Sequence, residues 1–588
     1  MYRTAIEDFG FTDGFDPTGE HAGTAWGLYS QLLLRTLLTY RHVAGPAGEQ
    51  VVPDLATSVP APTDGGLTYT FHLKAGVRFG PPLDRPITSR DIAYAFQRIN
   101  TRSLMAQYGS SYDGVIQGMD GNAAAPEDPV SGISTPDDST IVFHLVRPTG
   151  DFPYRLTLPA TAPTPVEVGR CFTKFGTYGR DLIASGPYML AGEQDLNVSS
   201  CSAIEPIGGF DPTSRLAVVR NPSYDPRTDD PTVRENNVDG VSIVIDTNPS
   251  DIFRRIRSGQ LDGSFAGLPP VDELGADLAD PALQPGVHID PGNETTYLFM
   301  NLLVPPFDDV HVRRAVAWLI PKASMLRAGG GPDTGAIATH VLPPIVLPFS
   351  GPSYDPYPSV GGDGDLARAR AEMAMSRYDA NHDGRCDPPV CTDVLYVSPL
   401  VTPYPSYTAL IEAALARIGI HLKPRELDTG TAYTTVAFVK SLIPIGVATA
   451  ATDYPDPFTF MAPLFGSAGI ICVGESNFAE VGMNPELASR CGVSSTYRAA
   501  LRHDGETYPS IDADINRCAP LVGAARSACW EGVDRKLMED VVPWVPFLWG
   551  SHVSITGATV TKYGFDQFSG IVSLCHIAVE NGISPPNG

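Results

Sequence analysis

Hydrophobic and polar positions alternate along several short stretches of the chain, and each alternation predicts a half-buried β-strand. Residues 68–73 (TYTFHL) place Tyr, Phe and Leu at every second position, and residues 140–145 and 238–246 follow similar patterns. A polar turn stands before the first two stretches, at residues 63–66 (TDGG) and 137–138 (DD). Turns of this kind before an alternating stretch are typical of hairpins.

Other segments repeat their apolar residues every three to four positions, which predicts amphipathic helices. Such segments are residues 26–38, 310–320, 365–377, 407–418 and 524–538. A further helix is predicted to begin at Thr88, because a hydroxyl cap with an acid in the first turn is a helix-start signal. Strands and helices are interleaved along the whole chain, so the expected fold class is α/β with mixed sheets.

The length of the chain indicates how many domains it has, and its charge and motifs limit the classes of function that it can have. The 588 residues exceed the size at which a single core keeps growing, so two or three domains are expected. With 66 acidic and 41 basic residues the net charge is −25, which disfavours nucleic acid as a partner. The sequence contains no HExxH, GxSxG or P-loop motif, so no enzyme signature is present.

The nine cysteines are informative because eight of them fall into near neighbours along the chain. These pairs are Cys171/Cys201, Cys386/Cys391, Cys472/Cys491 and Cys518/Cys529, and Cys575 stands alone. No CxxC pair is present, so local disulfides in an oxidising compartment are favoured over a zinc site, although the connectivity stays open. The first residues lack the apolar core of a signal peptide, so we expect the mature form of an exported protein.

A series of short motifs follows a fixed order along nearly the whole chain. They are 15–18 (FDPT), 52–56 (VPDLA), 64–79 (DGGLTYTFHLKAGVRF), 185–188 (SGPY), 220–224 (RNPSY), 238–241 (VDGV), 258–262 (SGQLD), 297–301 (YLFMN), 307–316 (FDDVHVRRAV), 453–457 (DYPDP) and 541–546 (VVPWVP). In this order the chain resembles the peptide/nickel class (family 5) of extracellular solute-binding proteins. That class includes the oligopeptide- and dipeptide-binding proteins of ABC importers.

The resemblance implies a two-lobed fold of the periplasmic-binding-protein type (class II), with a hinge between the lobes and an additional third domain. On this basis the first lobe is expected at residues 1–53, 186–292 and 543–588. The extra domain is expected at residues 54–185 and the second lobe at residues 293–542. The resemblance also implies a monomer at the cell surface, whose full-length precursor is lipid-anchored to the cytoplasmic membrane.

The resemblance assigns ligand binding to the segment around Asp453. In oligopeptide and dipeptide binders, a carboxylate in the matching motif pairs with the α-ammonium group of the ligand. An enclosed cation loses its water and needs a charged acceptor, which gives this assignment a physical reason. The neighbouring residues expected at the site are Ala450, Ala451, Thr452 and Tyr454. The alternative is that Asp453 only caps the turn before Pro455.

Two further segments are predicted to support a bound peptide. Residues 446–451 (GVATAA) are small and apolar, and as an extended segment they could pair with a peptide backbone, although an ordinary buried strand explains them equally well. Arg35 and Thr36 stand at a family position that implies the facing edge of the site. They replace the Glu-Gly pair common in the family.

A separate pattern predicts a structural calcium loop. Asp379, Asn381 and Asp383 stand at positions 1, 3 and 5 of such a loop, with the carbonyl of Arg385 at position 7 and Asp387 at position 9. Position 12 is a valine and not the usual glutamate, which leaves a metal-free turn as the alternative. No catalytic cofactor is expected.

Together these observations predict a non-enzymatic receptor. It would capture peptides or peptide-like solutes in a cleft between its lobes and deliver them to the permease subunits of an ABC importer. One alternative keeps the fold but binds a non-peptide ligand, such as a metal chelate, an oligosaccharide or a secondary metabolite. Others are a peptide-sensing receptor and, from a different class, a secreted hydrolase.

Overall fold

The computed structural model describes residues 1–267, 269–347, 354–474, 476–494, 497 and 508–580. The chain forms two compact units, one made of Met1–Asp290 with His552–Gly588 and one made of Pro291–Ser551. The second unit begins two residues before and ends nine residues after the predicted second lobe. Residues 54–185 lie inside the first unit, so their assignment to a separate third domain stays a prediction.

The strands of the described residues are short, except for two long ones that each run from one unit into the other. They are β1 Tyr2–Ile6, β2 Leu38–Thr39, β3 Val52–Pro53, β4 Thr68–His72, β5 Ile133–Asp137, β6 Thr140–His144, β7 Tyr188–Leu190, β8 Phe210–Asp211, β9 Arg215–Arg220, β10 Gly240–Ile245, β11 Gly263–Ser264, β12 Val287–Met300, β13 Gly335–Ile337, β14 Val394–Pro399, β15 Leu422–Leu427, β16 Ile445–Ala451, β17 Trp544–Ile555, β18 Val560–Lys562, β19 Phe565–Asp566, β20 Ile571–Val572 and β21 Ala578–Val579. The long strands are β12 and β17.

The helices alternate with these strands along both units. They are α1 Gly23–Leu28, α2 Ser89–Ile99, α3 Phe152–Arg155, α4 Val166–Gly169, α5 Pro249–Arg257, α6 Val271–Ala279, α7 Val310–Leu319, α8 Lys322–Ala328, α9 Leu366–Met373, α10 Tyr404–Ala416, α11 Thr429–Val436, α12 Phe458–Phe465, α13 Pro485–Arg490, α14 Asp512–Cys518 and α15 Gly523–Lys536. None of the helices described here is long and apolar enough to span a lipid bilayer.

Most of the elements predicted from periodicity are present. The stretches 68–73, 140–145 and 238–246 form β4, β6 and β10, and helix α2 begins with the predicted cap. The backbone N–H of Thr88 donates to the Asp91 carboxylate at 2.9 Å, which closes a capping box. The helix predicted over residues 26–38 was wrong in its second half, since helical backbone ends at Leu33 and Leu38 enters β2.

The main sheet of the first unit is mixed, as predicted. Its order is β11-β1-β10-β9-β7, with β8 paired to β9. Strand β1 runs parallel to β10 and β11, whereas β10 and β9 are antiparallel. A second sheet in this unit, β4-β6-β5, is antiparallel, and Phe96 of α2 packs on Phe143 of β6 with ring centroids 5.1 Å apart.

The sheet of the second unit has the order β13-β17-β12-β16-β14-β15 and is buried on both faces. Alternation along β12 shows this directly, because its side chains point to opposite faces in turn. Tyr297 and Phe299 join one core with Trp544, while Leu298 and Met300 join a second core on the other face. Strands buried on both sides read as continuous apolar runs, as residues 297–300 do.

A closed ion-pair network lies inside the first unit. Arg35 Nε donates to Asp54 at 2.6 Å, and Arg234 bonds Asp54 at 2.8 Å and Asp229 at 3.1 Å. All four side chains are at most 3% exposed. Burial alone would raise the pKa of Asp54, but Arg234 and Arg35 outweigh it and hold that pKa well below its ordinary range. The network thus stabilises the fold only as a complete set of charges.

The structure confirms the four cysteine pairs favoured by their spacing. Disulfides join Cys171 to Cys201, Cys386 to Cys391, Cys472 to Cys491 and Cys518 to Cys529. Cys575 is a free, buried thiol, and burial raises its pKa to about 12. A thiol of this kind is protected and unreactive in the folded protein.

These pairings predict the thiol count of the protein. Native protein should show almost no reactive thiol in an assay with a thiol reagent, because Cys575 is buried. Denaturation without reductant should expose one thiol per chain, and reduction should raise the count to nine. A count of three or more before reduction would contradict the four disulfides.

The ion-pair network predicts a large effect of one substitution. Asp54→Ala should lower the free energy of unfolding by about 3–5 kcal/mol, because it removes one of the two carboxylates that the buried Arg35 and Arg234 share, the other being Asp229. The control is Asp239→Ala, since the pair of Asp239 with Arg220 is 80% and 51% exposed and should contribute little. Urea unfolding measures both, and equal midpoints for the two variants would contradict the assignment.

Candidate functional site

Strand β16 pairs with β12 along its whole length but with β14 only at its start. Seven antiparallel residue pairs join β16 to β12, from Met300↔Ile445 to Glu294↔Ala451. On its other side, β16 pairs with β14 at Ile445 and Gly446 alone within the described residues. The second half of β16 therefore has an edge that no described strand covers, as the prediction for residues 446–451 requires.

The local sequence explains why the strand approaches its neighbours so closely at one end. A Cβ added at Gly446 would lie 2.6 Å from the carbonyl oxygen of Val397 and 2.7 Å from the Phe299 ring. Only glycine fits there. Val447 and Ala448 are buried, Thr449 and Ala450 are half-buried, and Ala451 is exposed, so the strand runs from the core to the surface.

The direction of the edge groups is fixed at Thr449. Its backbone N–H donates to the Tyr433 hydroxyl at 3.0 Å, and that hydroxyl donates to the Thr449 carbonyl at 3.4 Å. Both backbone groups of Thr449 therefore point away from β12. In an antiparallel pair this direction recurs at every second residue, so the N–H and C=O of Ala451 also face the uncovered edge.

Asp453 follows the strand in a turn that an ion pair at Asp456 holds in place. Asp453 is half-buried, while Thr452 and Tyr454 on either side of it are 7% and 4% exposed. Three residues further on, Asp456 forms a bidentate ion pair with Arg526 of α15, at 2.7 and 2.5 Å. This buried pair holds the 453–457 turn against helix α15 of the same unit. Of the predicted site residues 450–454, Ala450, Ala451 and Asp453 are half-buried or exposed, whereas Thr452 and Tyr454 are buried.

A cavity of about 500 Å³ opens beside this strand. Most of its lining side chains are apolar or aromatic. The lining residues are Tyr297, Tyr433, Thr434, Ala437, Thr449, Ala450, Ala451, Leu464, Val473, Gly474, Ser476 and Phe478. The cavity has the size typical of small-ligand pockets. Its rim at Val473 is held by the neighbouring Cys472–Cys491 disulfide and by Gly474, whose N–H donates to the Ala437 carbonyl at 2.8 Å.

Sequence reasoning missed the aromatic residues of this cavity. Tyr433 lies on α11, and Phe478 lies inside the loop closed by the Cys472–Cys491 disulfide, so both are distant from the 453–457 motif along the chain. Tyr404, which begins α10, does not line the cavity but contacts Thr449 behind it. The Tyr404 hydroxyl lies 3.1 Å from the Thr449 hydroxyl, which in turn lies 2.9 Å from that of Thr296. No motif marks these tyrosines, and only the packing of α10 and α11 near β16 reveals them.

The structure places Arg35 and Thr36 in a different setting. The Arg35 side chain is fully buried in the ion-pair network with Asp54, and the Thr36 hydroxyl donates to the Leu38 carbonyl at 2.6 Å. Both side chains are thus occupied by contacts within the first unit. Their predicted role in ligand binding stays a prediction, and the described contacts favour a structural role.

The predicted calcium loop is held by hydrogen bonds to its own backbone. The Asp379 carboxylate accepts from the N–H groups of Asp383 at 3.1 Å and Gly384 at 2.7 Å, and Asp387 accepts from Ala380 at 2.8 Å. Nowhere in the described part of the chain do three or more His, Cys, Asp or Glu side chains form a group that could hold a metal ion. These contacts match the metal-free turn, and calcium binding stays a prediction.

Comparison with known proteins agrees with the motif order. The family model for bacterial extracellular solute-binding proteins, family 5 middle, matches residues 50–471. Heme-binding protein A of Haemophilus influenzae is 23% identical over 95% of this chain and 90% of its own length. The dipeptide-binding protein of Escherichia coli is 25% identical over 59% of this chain and 60% of its own length.

A solved structure extends the agreement to the fold. The clavulanic acid biosynthesis oligopeptide binding protein 2 superposes with a TM-score of 0.80 at 26% identity, covering 98% of this chain and 95% of that chain. This similarity confirms the predicted two-lobed α/β fold class, and the family match confirms the resemblance drawn from the ordered motifs. The chain belongs to the bacterial extracellular solute-binding proteins of family 5.

Proposed function

We propose that this protein is the substrate-binding subunit of an ABC importer that captures peptides or peptide-like solutes and hands them to a permease. One observation carries the proposal. The uncovered edge of β16 presents the backbone of Ala451 beside Asp453. An edge amide and a carboxylate two residues apart form the recognition pattern that the start of a peptide requires.

Each group has a defined partner on such a ligand. The ligand's α-ammonium group would bind the Asp453 carboxylate in a charge-assisted hydrogen bond, which is stronger than a bond between neutral groups. The C=O of the ligand's first residue would accept from the Ala451 N–H, and the amino N–H of the same residue would donate to the Ala451 C=O, extending the sheet by one strand. Hydrogen bonds to the ligand backbone do not depend on the ligand's side chains, so they suit a receptor that binds peptides of many sequences.

The comparisons support the same ligand class. The relatives named above include one called a dipeptide-binding protein and one called an oligopeptide binding protein. Family members are extracellular solute-binding proteins, so release of intact ligand, and not turnover, is the expected outcome of binding. We further propose a monomer that is lipid-anchored at the cell surface in its precursor form.

A second candidate is an apolar, non-peptide ligand. The cavity beside β16 has mostly apolar walls, and one relative that covers 95% of this chain is named a heme-binding protein. Such a ligand would bind through burial of apolar surface and would not need the carboxylate of Asp453.

Native mass spectrometry separates the two candidates. The protein as purified is expected to carry a mixture of short peptides, which denaturation releases intact. Their masses can be assigned by sequencing in a second fragmentation step. Release of a single non-peptide compound would overturn the peptide assignment and favour the second candidate.

Removing the charge at the site tests the role of Asp453. Asp453→Asn should weaken binding of a free-amine peptide by about ten- to a hundredfold, since a hydrogen bond to a charged group contributes about 1.5–3 kcal/mol. Glu412→Gln, which removes an exposed acid on α10 of the same unit, is the matched control and should leave affinity unchanged. Isothermal titration calorimetry measures both.

An N-acetylated peptide completes this test. Wild-type protein should discriminate strongly between the free-amine peptide and its N-acetylated form, because acetylation removes the cation. The Asp453→Asn variant should lose most of that discrimination. Equal discrimination by both proteins would show that another group binds the amine.

A further inference from the structure

The uncovered edge of β16 is shorter than the strand itself. Its outward-facing backbone groups belong to Val447, Thr449 and Ala451. Val447 is buried, and the groups of Thr449 are already hydrogen-bonded to the Tyr433 hydroxyl at 3.0 and 3.4 Å. One hydroxyl thus satisfies both the donor and the acceptor that a ligand's backbone would use there. Only Ala451, the exposed last residue of the strand, retains an edge position that no described strand or side-chain hydroxyl occupies.

Because the backbone groups of Thr449 are occupied, the spacing of residues along the strand limits the length of ligand that can pair with it. Outward-facing groups recur at every second residue of a strand, about 7 Å apart. A ligand whose amine lies at Asp453 and whose first residue pairs with Ala451 would bring its third residue opposite Thr449. The Tyr433 hydroxyl stands in that place, so the third residue finds no free backbone partner.

The blocking hydroxyl is held firmly in place. Tyr433 lies in the middle of α11, whose first turn is capped by the Asp428 carboxylate accepting from the Thr431 N–H at 3.0 Å. Its ring lines the cavity wall with Phe478, at a centroid distance of 6.3 Å. Burial and the neighbouring Tyr404 raise the pKa of Tyr433 to about 12, so the hydroxyl keeps its proton and donates throughout the physiological range.

We propose that Tyr433 sets the length of the ligand backbone that this site accepts, which makes the protein selective for dipeptide-sized, amine-bearing ligands. This inference rests on the proposed function and adds the ligand class to it. Residues beyond the second contribute no backbone hydrogen bond to β16, so a longer peptide gains nothing from its length and must turn away from the strand.

A length series of alanine peptides tests the proposal, since the side chain stays constant. Wild-type protein should bind di-, tri- and tetra-alanine with affinities that do not rise with length. Tyr433→Phe removes the hydroxyl and keeps the ring, which frees the N–H and C=O of Thr449. In that variant the affinity for tri- and tetra-alanine should rise about three- to tenfold relative to di-alanine, the effect expected for gained backbone hydrogen bonds.

Tyr404→Phe is the matched control. Its hydroxyl lies 3.1 Å from the Thr449 side chain, and no described contact joins it to the backbone edge. Removing it should leave the length dependence unchanged. Circular dichroism and the unfolding midpoint confirm that both variants are folded before calorimetry.

Three outcomes overturn the inference. A wild-type affinity that rises steeply from two to four residues would do so without any variant. A Tyr433→Phe variant with unchanged length dependence, or a Tyr404→Phe variant with the same gain, would show that Tyr433 does not set the limit. Absence of binding to alanine peptides of every length, in wild type and variant alike, would instead overturn the proposed function itself.

Discussion

The pairing of β16 with β12 is the interaction on which the candidate site depends. Seven consecutive residue pairs hold β16 on one side, while its pairing with β14 ends after Gly446. A shift of this register by one residue would reverse every side chain and every edge group. The exposed backbone of Ala451, the blocked backbone of Thr449 and the position of Asp453 are therefore all consequences of one hydrogen-bonded register.

The charges of the protein are divided between its surface and its interior. The net charge of −25 arises from acidic residues in excess, yet several arginines are buried and paired, among them Arg35, Arg234 and Arg526. Arg526 binds Asp456 in the 453–457 turn, and the other two share Asp54 in the first unit. A buried pair costs desolvation energy and tolerates no unpaired partner, so these networks specify one arrangement of the loops they join.

Much of the fold could be predicted from the sequence. Alternation of apolar residues is sufficient to locate β4, β6 and β10, and the Thr88–Asp91 cap marks the start of α2. These elements can be predicted because apolar periodicity and helix capping both depend on residues that are close together in the sequence. The helix predicted through residue 38 failed because Leu38 pairs with Pro53 and the carbonyls of Thr36 and Leu37 accept from the backbone of residues 54–56, tertiary contacts that outweigh local helical spacing.

The fixed order of short motifs along the chain is sufficient to assign the family and to place Asp453 in its motif, whereas the spacing of eight cysteines favours local disulfides but leaves their connectivity open. Which backbone groups of this segment are already hydrogen-bonded follows from tertiary contacts. Tyr433 lies sixteen residues before Thr449 on a different element, and no pattern links them. The burial of Arg35 in an ion pair with Asp54 likewise depends on contacts between distant residues. Hydrogen bonds between residues far apart in the sequence form only when the elements that carry them pack together, and that packing cannot be inferred from neighbouring residues in the sequence.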